Sequence, residues 1–335
     1  MARVECMNAQ QIADGTWAHL WTPGGWGQTN TGLIVDDGAA SMVIDTVWDT
    51  GRADAIASEN RSLTRRSPVT DVVNTHSDGD HWWGNDTVPS DARIITSAAS
   101  LHAMKEETPP SGVHLFASLG ALAGRLPGPV GATGTYMDRV RGGATFPRTS
   151  PRLPDHTFDV TERIDVGTRA VQLRYLGPAH TAGDLIAHVP DVGVVFSGDL
   201  LFIGSTPILW HGPLSNWIDA LDHLLALDAA VYVPGHGPLC GADEIRAVRD
   251  YWTWVDEAGR RHFDAGVEYA HAARNMMQSK DFRPYQAWGS PERLVLTMST
   301  LYRLWKGEPA APPTLLRRAR AFADAGALLR TIESR

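Results

Sequence analysis

The sequence predicts a layered α/β domain over residues 1–245, followed by a helical extension over 246–335. Three observations predict it. Two strand-rich stretches alternate with helical ones. Four His/Asp motifs each follow a short apolar run of strand type. From Asp243 onward the patterning is helical throughout.

In chain order, Thr16 to Thr22 and Thr29 to Val35 are expected as strands, parted by the Gly-rich PGGWGQ turn, and Ser41 to Thr46 as a third after DDGAA. Thr50 to Leu63 has helical composition and follows Asp49, a suitable N-cap. Asp71 to Thr75 is a short buried-type strand that runs into the loop HSDGDHWWGN; Arg93 to Thr96 is a strand and Ala98 to Glu107 a helix. Residues 108–153 are rich in Gly and Pro and lack a clean period, with helical patches near His114 to Arg125 and Tyr136 to Arg141. A segment this long is read as an insertion or lid, with a surface excursion as the alternative. Strands resume at Ala170 to Leu176, Leu185 to Val189 and Val192 to Ser197. The amphipathic helix Ser215 to Leu227 and the short strand Ala230 to Val233 precede PGHGP. Helices are then expected at about 243–258, 262–279, 291–306 and 313–333.

Bulk properties narrow the function. A chain of 335 residues buries a sizeable core. The net charge of −8 argues against a polyanionic partner, so no nucleic acid is expected. The basic run Arg317, Arg318 and Arg320 lacks aromatic interleaving and reads as the solvated face of a helix. Cys6 and Cys240 make neither a disulfide framework nor a Cys-based metal motif. The N-terminus has no apolar signal core and no apolar run is long enough to span a bilayer, which points to a cytoplasmic protein with no membrane partner.

The informative residues are His76-Ser77-Asp78-Gly79-Asp80-His81, His180, Asp199 and His236. Strand ends converge on one edge of a sheet, where ligand sites form in layered folds. Imidazoles and carboxylates are the usual ligands of divalent first-row metals, and carboxylates so clustered repel one another without a cation.

Over residues 12 to 245 these motifs resemble the metallo-β-lactamase superfamily. Its first motif, His-x-His-x-Asp-His, stands here as His76-Ser77-Asp78-Gly79-Asp80-His81. Its later ligands match His180 in GPAHTAGDL, Asp199 in VVFSGDLLF and His236 in VPGHGP. The resemblance implies a four-layer αββα sandwich and two divalent metal ions, zinc first, with iron or manganese as alternatives. One site would comprise His76, Asp78 and His180. The other would comprise Asp80, His81 and His236, with Asp199 bridging the two and Asp45 supporting the metal loop. The chain departs from the family at Asp78, where histidine is usual; a carboxylate there also occurs in the di-iron flavodiiron branch, which carries a flavodoxin-like domain where this tail reads as helical.

The implied activity is that of a metal-dependent hydrolase. A hydroxide activated by two metals would act on an ester, lactone, thioester or amide of a small, partly apolar molecule, with Asp80 as the catalytic carboxylate. The alternative is a di-iron redox or oxygen-handling protein of the same fold. Trp26, Trp48, Trp82, Trp83, Trp210 and His211 lie on loops expected to border the metal edge and are placed at the substrate pocket; if Trp82 and Trp83 are extended, only one of them faces it. The tryptophans of the helical tail, Trp252, Trp254, Trp288 and Trp305, are read as core or as contacts of a homodimer.

Overall fold

Two sheets stack face to face, each with helices on its outer side. The computed structural model describes residues 8–126, 128–311 and 314–333; Cys6 and the N-terminal seven residues read above lie outside them. The first sheet orders seven strands as they occur in the chain: β1 (Gln10–Ala13), β2 (Thr16–His19), β3 (Thr31–Asp36), β4 (Ala40–Ile44), β5 (Val69–Val73), β6 (Arg93–Ser97) and β7 (His156–Phe158). Pairing is antiparallel from β1 to β4 and parallel from β4 to β7. The second sheet runs β12 (Val231–His236), β11 (Val194–Phe202), β10 (Leu185–Val189), β9 (Arg169–Tyr175), β8 (Thr161–Val166), with only β11 and β12 parallel.

The alternation of side chains explains the layers. Ile34, Met42, Ile44, Val73 and Ile95 point inward and meet Leu173, Leu185, Ala187, Val194 and Phe196 of the second sheet. Their strand neighbours Leu33, Val43, Val72 and Ile94 face outward and pack with Leu63 of helix α1 (Thr50–Leu63). On the far side, Ile186, Val195 and Tyr232 face α5 (Leu214–Ala226) and α6 (Ala242–Asp264) through Trp217, Leu221, Ile245 and Val248.

Between β6 and β7 the chain forms α2 (Ala98–Glu106), α3 (Pro110–Ala123) and α4 (Gly128–Arg141). The segment 108–153 is therefore mainly an α-hairpin, with helices longer than the two patches read from the sequence. Beyond α6 follow α7 (Tyr269–Gln278), α8 (Arg293–Trp305) and α9 (Leu315–Glu333), and α9 packs on both α4 and α8. The expected helix break near residue 260 is absent. Gly259 lies in a tight approach to α8, where a Cβ would come within 2.8 Å of Met298, so the helix continues to Asp264 and the chain turns at Gly266 with φ of +72°. Strands β1, β7 and β8 were not expected from the sequence. Asp199 lies within β11, three residues before its end, rather than in a loop after it. Trp252 is fully buried and Trp254, Trp288 and Trp305 pack partly buried around the same core. Cys240 is a free, buried thiol of that core, and burial pushes it up to about 12.

Candidate metal centre

Each chemical side chain is set by backbone that leaves the sheets at one edge. After β5, Asn74 and Thr75 lead to His76, and a single 3-10 turn, Gly79–His81, swings Asp80 and His81 back to it. His180 lies in the loop from β9 to β10. The Asp184 carboxylate ties that loop by accepting from the backbone N–H groups of Ala179 and Thr181 and from the Thr181 hydroxyl. Asp199 is carried by β11 where its pairing with β12 loses register, and His236 is the last residue of β12.

Three groups have ligand atoms lying within 4.8 Å of one another: His76, Asp78 and His180; His76, His81 and Asp199; and Asp80, His81 and His236. Asp199 reaches imidazoles of the first and third groups. Its Oδ2 is 3.3 Å from His180 Nε2 and 3.2 Å from His236 Nε2, and its Oδ1 is 3.1 Å from His81 Nε2. Asp80 Oδ2 is 3.6 Å from His236 Nε2 and accepts from the Thr29 hydroxyl at 2.8 Å. Asp78, the residue that departs from the family pattern, faces the cluster: its Oδ2 is 3.1 Å from His180 Nε2 and accepts from the Trp210 indole N–H at 3.1 Å.

The partners of the histidine Nδ1 atoms fix what the Nε2 atoms offer. His180 Nδ1 meets the Ile208 carbonyl at 2.7 Å and His236 Nδ1 the Gln28 carbonyl at 3.0 Å, so both donate there. His81 Nδ1 donates to Asp45 Oδ2 at 2.8 Å. The Thr75 hydroxyl donates to Asp45, which leaves its lone pairs to accept from His76 Nδ1 at 3.1 Å. All four rings then turn Nε2 inward as lone-pair donors to a cation. His76 Nε2 is buried with no hydrogen-bond partner, and His81 Nε2 and Asp199 Oδ1, also buried, have only each other at 3.1 Å, a costly arrangement that a divalent cation would relieve. The nitrogen and oxygen set fits the two-metal pattern that the motifs imply.

Electrostatics in the cation-free protein agree. Burial favours the neutral form of Asp78, but the hydrogen bond and charge of His180 outweigh it and hold the carboxyl at about 2. Burial pulls His180 down, and Asp78 and Asp199 more than reverse that, to about 9. His81 is likewise raised against its burial by Asp199 and Asp45, and His76 is lowered by burial and by the charge of His81. Protons held on His180 and His81 are those a cation displaces on binding.

Asp78, Asp80, His180, Asp199 and His236 of the cluster line a cavity of about 630 Å³, and His76 and His81 are buried behind them. Trp26, Trp48, Trp83, Trp210 and His211 line it. Trp82 does not: its indole N–H donates to the Ser77 carbonyl and its ring is buried in the cluster with Trp83, Met104 and Phe146. Val113 of α3 and Val140 of α4 reach the cavity from the 108–153 segment, and Arg293, Arg318 and Phe322 reach it from the helical extension. Sequence reasoning missed these last three. The basic run thus divides, with Arg317 and Arg320 exposed and Arg318 half-buried in the cavity wall. Sequence reasoning also missed Thr29, Glu107 and Thr75. Glu107 lines the cavity, and burial and the charge of Asp78 push its carboxyl well up.

The family model of the metallo-beta-lactamase superfamily matches residues 24–236, which include every ligand candidate. The chain belongs to the metallo-beta-lactamase superfamily. Among curated proteins it is similar to the 2,4-dinitroanisole O-demethylase subunit alpha of Nocardioides sp., at 23% identity over 242 residues, covering 70% of this chain and 61% of that protein. Among solved structures it is similar to a metallo-beta-lactamase from Pontibacter korlensis, with a TM-score of 0.55, 17% identity and coverage of 73% of this chain and 98% of the other. It also resembles the stereoselective inverting sec-alkylsulfatase from Pseudomonas sp., with a TM-score of 0.66, 15% identity and coverage of 92% of this chain and 52% of that one. The chain thus spans less than two thirds of the curated relative and about half of the alkylsulfatase, and at these identities the solved structures speak for the shared metallo-beta-lactamase fold alone.

One glycine tests the geometry of this metallo-beta-lactamase edge. A Cβ on Gly235 would stand 1.9 Å from Asp199 Oδ1 and 2.8 Å from the Gly198 backbone. Gly235→Ala is expected to displace the Asp199 carboxylate, lower metal content in elemental analysis and reduce turnover by up to about 100-fold. Full metal occupancy and normal turnover in this variant would show that Asp199 is not held where the cluster needs it.

Proposed function

We propose that the chain is a hydrolase that uses two divalent metal ions to cleave an ester, lactone, thioester or amide of a small, partly apolar molecule. The observation that carries this reading is the convergence, at the floor of one aromatic-walled cavity, of three ligand groups with orphaned Nε2 and carboxylate atoms. His76, Asp78 and His180 would hold one ion and Asp80, His81 and His236 the other, with Asp199 shared. Such ions supply Lewis acidity and lower the pKa of water toward neutrality. Asp80, oriented by Thr29, accepts a proton from the nucleophile and passes it to the leaving group. Trp26, Trp48, Trp83 and Trp210 take the apolar part of the substrate and exclude water from it.

The test is elemental analysis of protein purified without added metal, followed by an ester, lactone, thioester and amide panel. An aryl methyl ether and a secondary alkyl sulfate belong in the panel because proteins similar to this one are named for those substrates. Turnover that a chelator abolishes and metal restores is the expected result. Metal-replete protein inert toward the whole panel would overturn the reading. The Asp78 carboxylate beside His180 favours iron or manganese more than an imidazole would and keeps the di-iron redox alternative in view; oxygen consumption with a reductant would support that alternative.

Asp78 also carries a prediction. Asp78, Asp80 and Asp199 nearly neutralise two divalent ions, whereas a histidine at 78 leaves the site one charge more positive. Asp78→His is expected to keep the fold, shift metal preference toward zinc and lower the pH at which activity rises by roughly one unit. An unchanged metal preference together with an unchanged pH–rate profile would show that Asp78 is no ligand.

A further inference from the structure

Arg293, the first residue of α8, is 1% exposed and lines the cavity. Its Nη1 donates to the Thr206 carbonyl at 3.2 Å, while its Nε has no partner. Among the described residues no carboxylate comes within 4.0 Å of the guanidinium. The neighbouring Glu292 makes no contact with the guanidinium: it is also 1% exposed, and burial pushes its carboxyl up toward the neutral form against the opposing pull of Arg293 and Tyr136. The guanidinium carbon sits 4.5 Å from the ring centroid of Trp26 and 5.8 Å from that of Phe202. A guanidinium packed over aromatic rings bonds in its own plane, and with Nη1 on the Thr206 carbonyl the remaining N–H groups are left for a further acceptor. Glu292, Asp199 and Asp80 act on this charge only from beyond 4.0 Å. Cations on Asp80 and Asp199 would take up the charge of those two, and an anion entering the cavity would then offset the cost of the buried guanidinium.

We propose that Arg293 is a specificity-determining residue that binds an anionic oxygen group (carboxylate, sulfonate or sulfate) of a substrate whose apolar body lies against Trp210 and Phe322. The inference rests on the hydrolase reading for the word substrate; the binding site itself does not depend on turnover. Trp210 and Phe322 line the same cavity as Arg293 and stack on one another with centroids 6.3 Å apart, so together they form an apolar wall for the body of a ligand whose anionic end meets the arginine. Arg318, also in the wall, has its guanidinium carbon 5.8 Å from the Trp210 centroid and is half-buried, which makes it the control.

The experiment is calorimetric titration of the metal-replete protein with benzenesulfonate and with methyl phenyl sulfone, a neutral molecule of similar shape. Sulfonate is a poor metal ligand, so the pair isolates the arginine. Wild type is expected to bind the sulfonate about tenfold more tightly or better. Arg293→Met should bring the two affinities within about twofold of one another without weakening the sulfone, Arg293→Lys should retain part of the preference, and Arg318→Met should retain it. A ratio near one in wild type, no binding of either molecule, a preference that survives Arg293→Met, or loss of bound metal as that variant's main effect would each overturn the proposal. If Arg293→Met does not fold, the wild-type ratio and its partial fall in Arg293→Lys decide. An active enzyme with a ratio of one sinks this inference alone, and a protein inert on the hydrolase panel that keeps the sulfonate preference sinks only the hydrolase reading.

Discussion

Asp80→Asn is expected to lower kcat by about 100-fold or more while the protein remains folded. Asp80 is 9% exposed and its Oδ2 faces His236 Nε2 at 3.6 Å and His81 Nε2 at 4.0 Å. An amide has the same shape and can still accept from Thr29 through its oxygen. It cannot carry negative charge to a cation or take up a proton, so ligation and proton transfer fail together while packing is kept. Initial rates, elemental analysis and a thermal melt check this together. A near-normal rate with full metal content would remove Asp80 from the chemistry.

The larger effect on stability belongs to Asp45. This carboxylate is 3% exposed and accepts from the Thr75 backbone N–H, the Thr75 hydroxyl and His81 Nδ1, at 2.7, 2.7 and 2.8 Å. One buried side chain therefore fixes the strand end that launches His76 and the ring orientation of His81. Its φ of +57° is a left-handed conformation that Asp and Asn adopt more readily than Ala. Asp45→Ala removes three hydrogen bonds and adds backbone strain, and is expected to cost about 3 kcal/mol or more, with loss of metal affinity. Asp45→Asn keeps the backbone preference and one acceptor oxygen and should fall between. Denaturant unfolding of the metal-free proteins measures the cost, and a difference below about 0.5 kcal/mol for Asp45→Ala would refute the assignment.

The candidate cluster was legible because His76, Asp78, Asp80, His81, His180, Asp199 and His236 stand in short motifs next to strong strand signals, and Asp45 followed from the same pattern. What escaped has physical reasons. β8 (TERIDV) carries charged residues on its exposed positions and has a weak apolar signal, and β7 is three residues long. β11 is buried along its whole length, so its run VVFSGDLLF shows no alternation to mark where the strand ends. An arginine opening an amphipathic helix reads as solvated, and only the packing of α8 against the cavity buries Arg293. Trp82 is the one aromatic placed at the pocket that does not line the cavity, because its indole N–H is drawn to the Ser77 carbonyl within the loop HSDGDHWWGN, a local hydrogen bond the sequence does not declare.

The order of the ligands along the chain bears on biosynthesis. His76 to His81 leave from the first sheet, His180 to His236 from the second, and the helix α9 that contributes Phe322 comes last. On the ribosome the first-sheet residues emerge early and stand alone, offering only part of a coordination shell. The candidate ligand set is complete only with β12, and from that moment until α9 has been synthesised it stands under an unfinished roof. If the cluster takes up cations, entry would be easiest before α9 has docked and exchange slower afterwards.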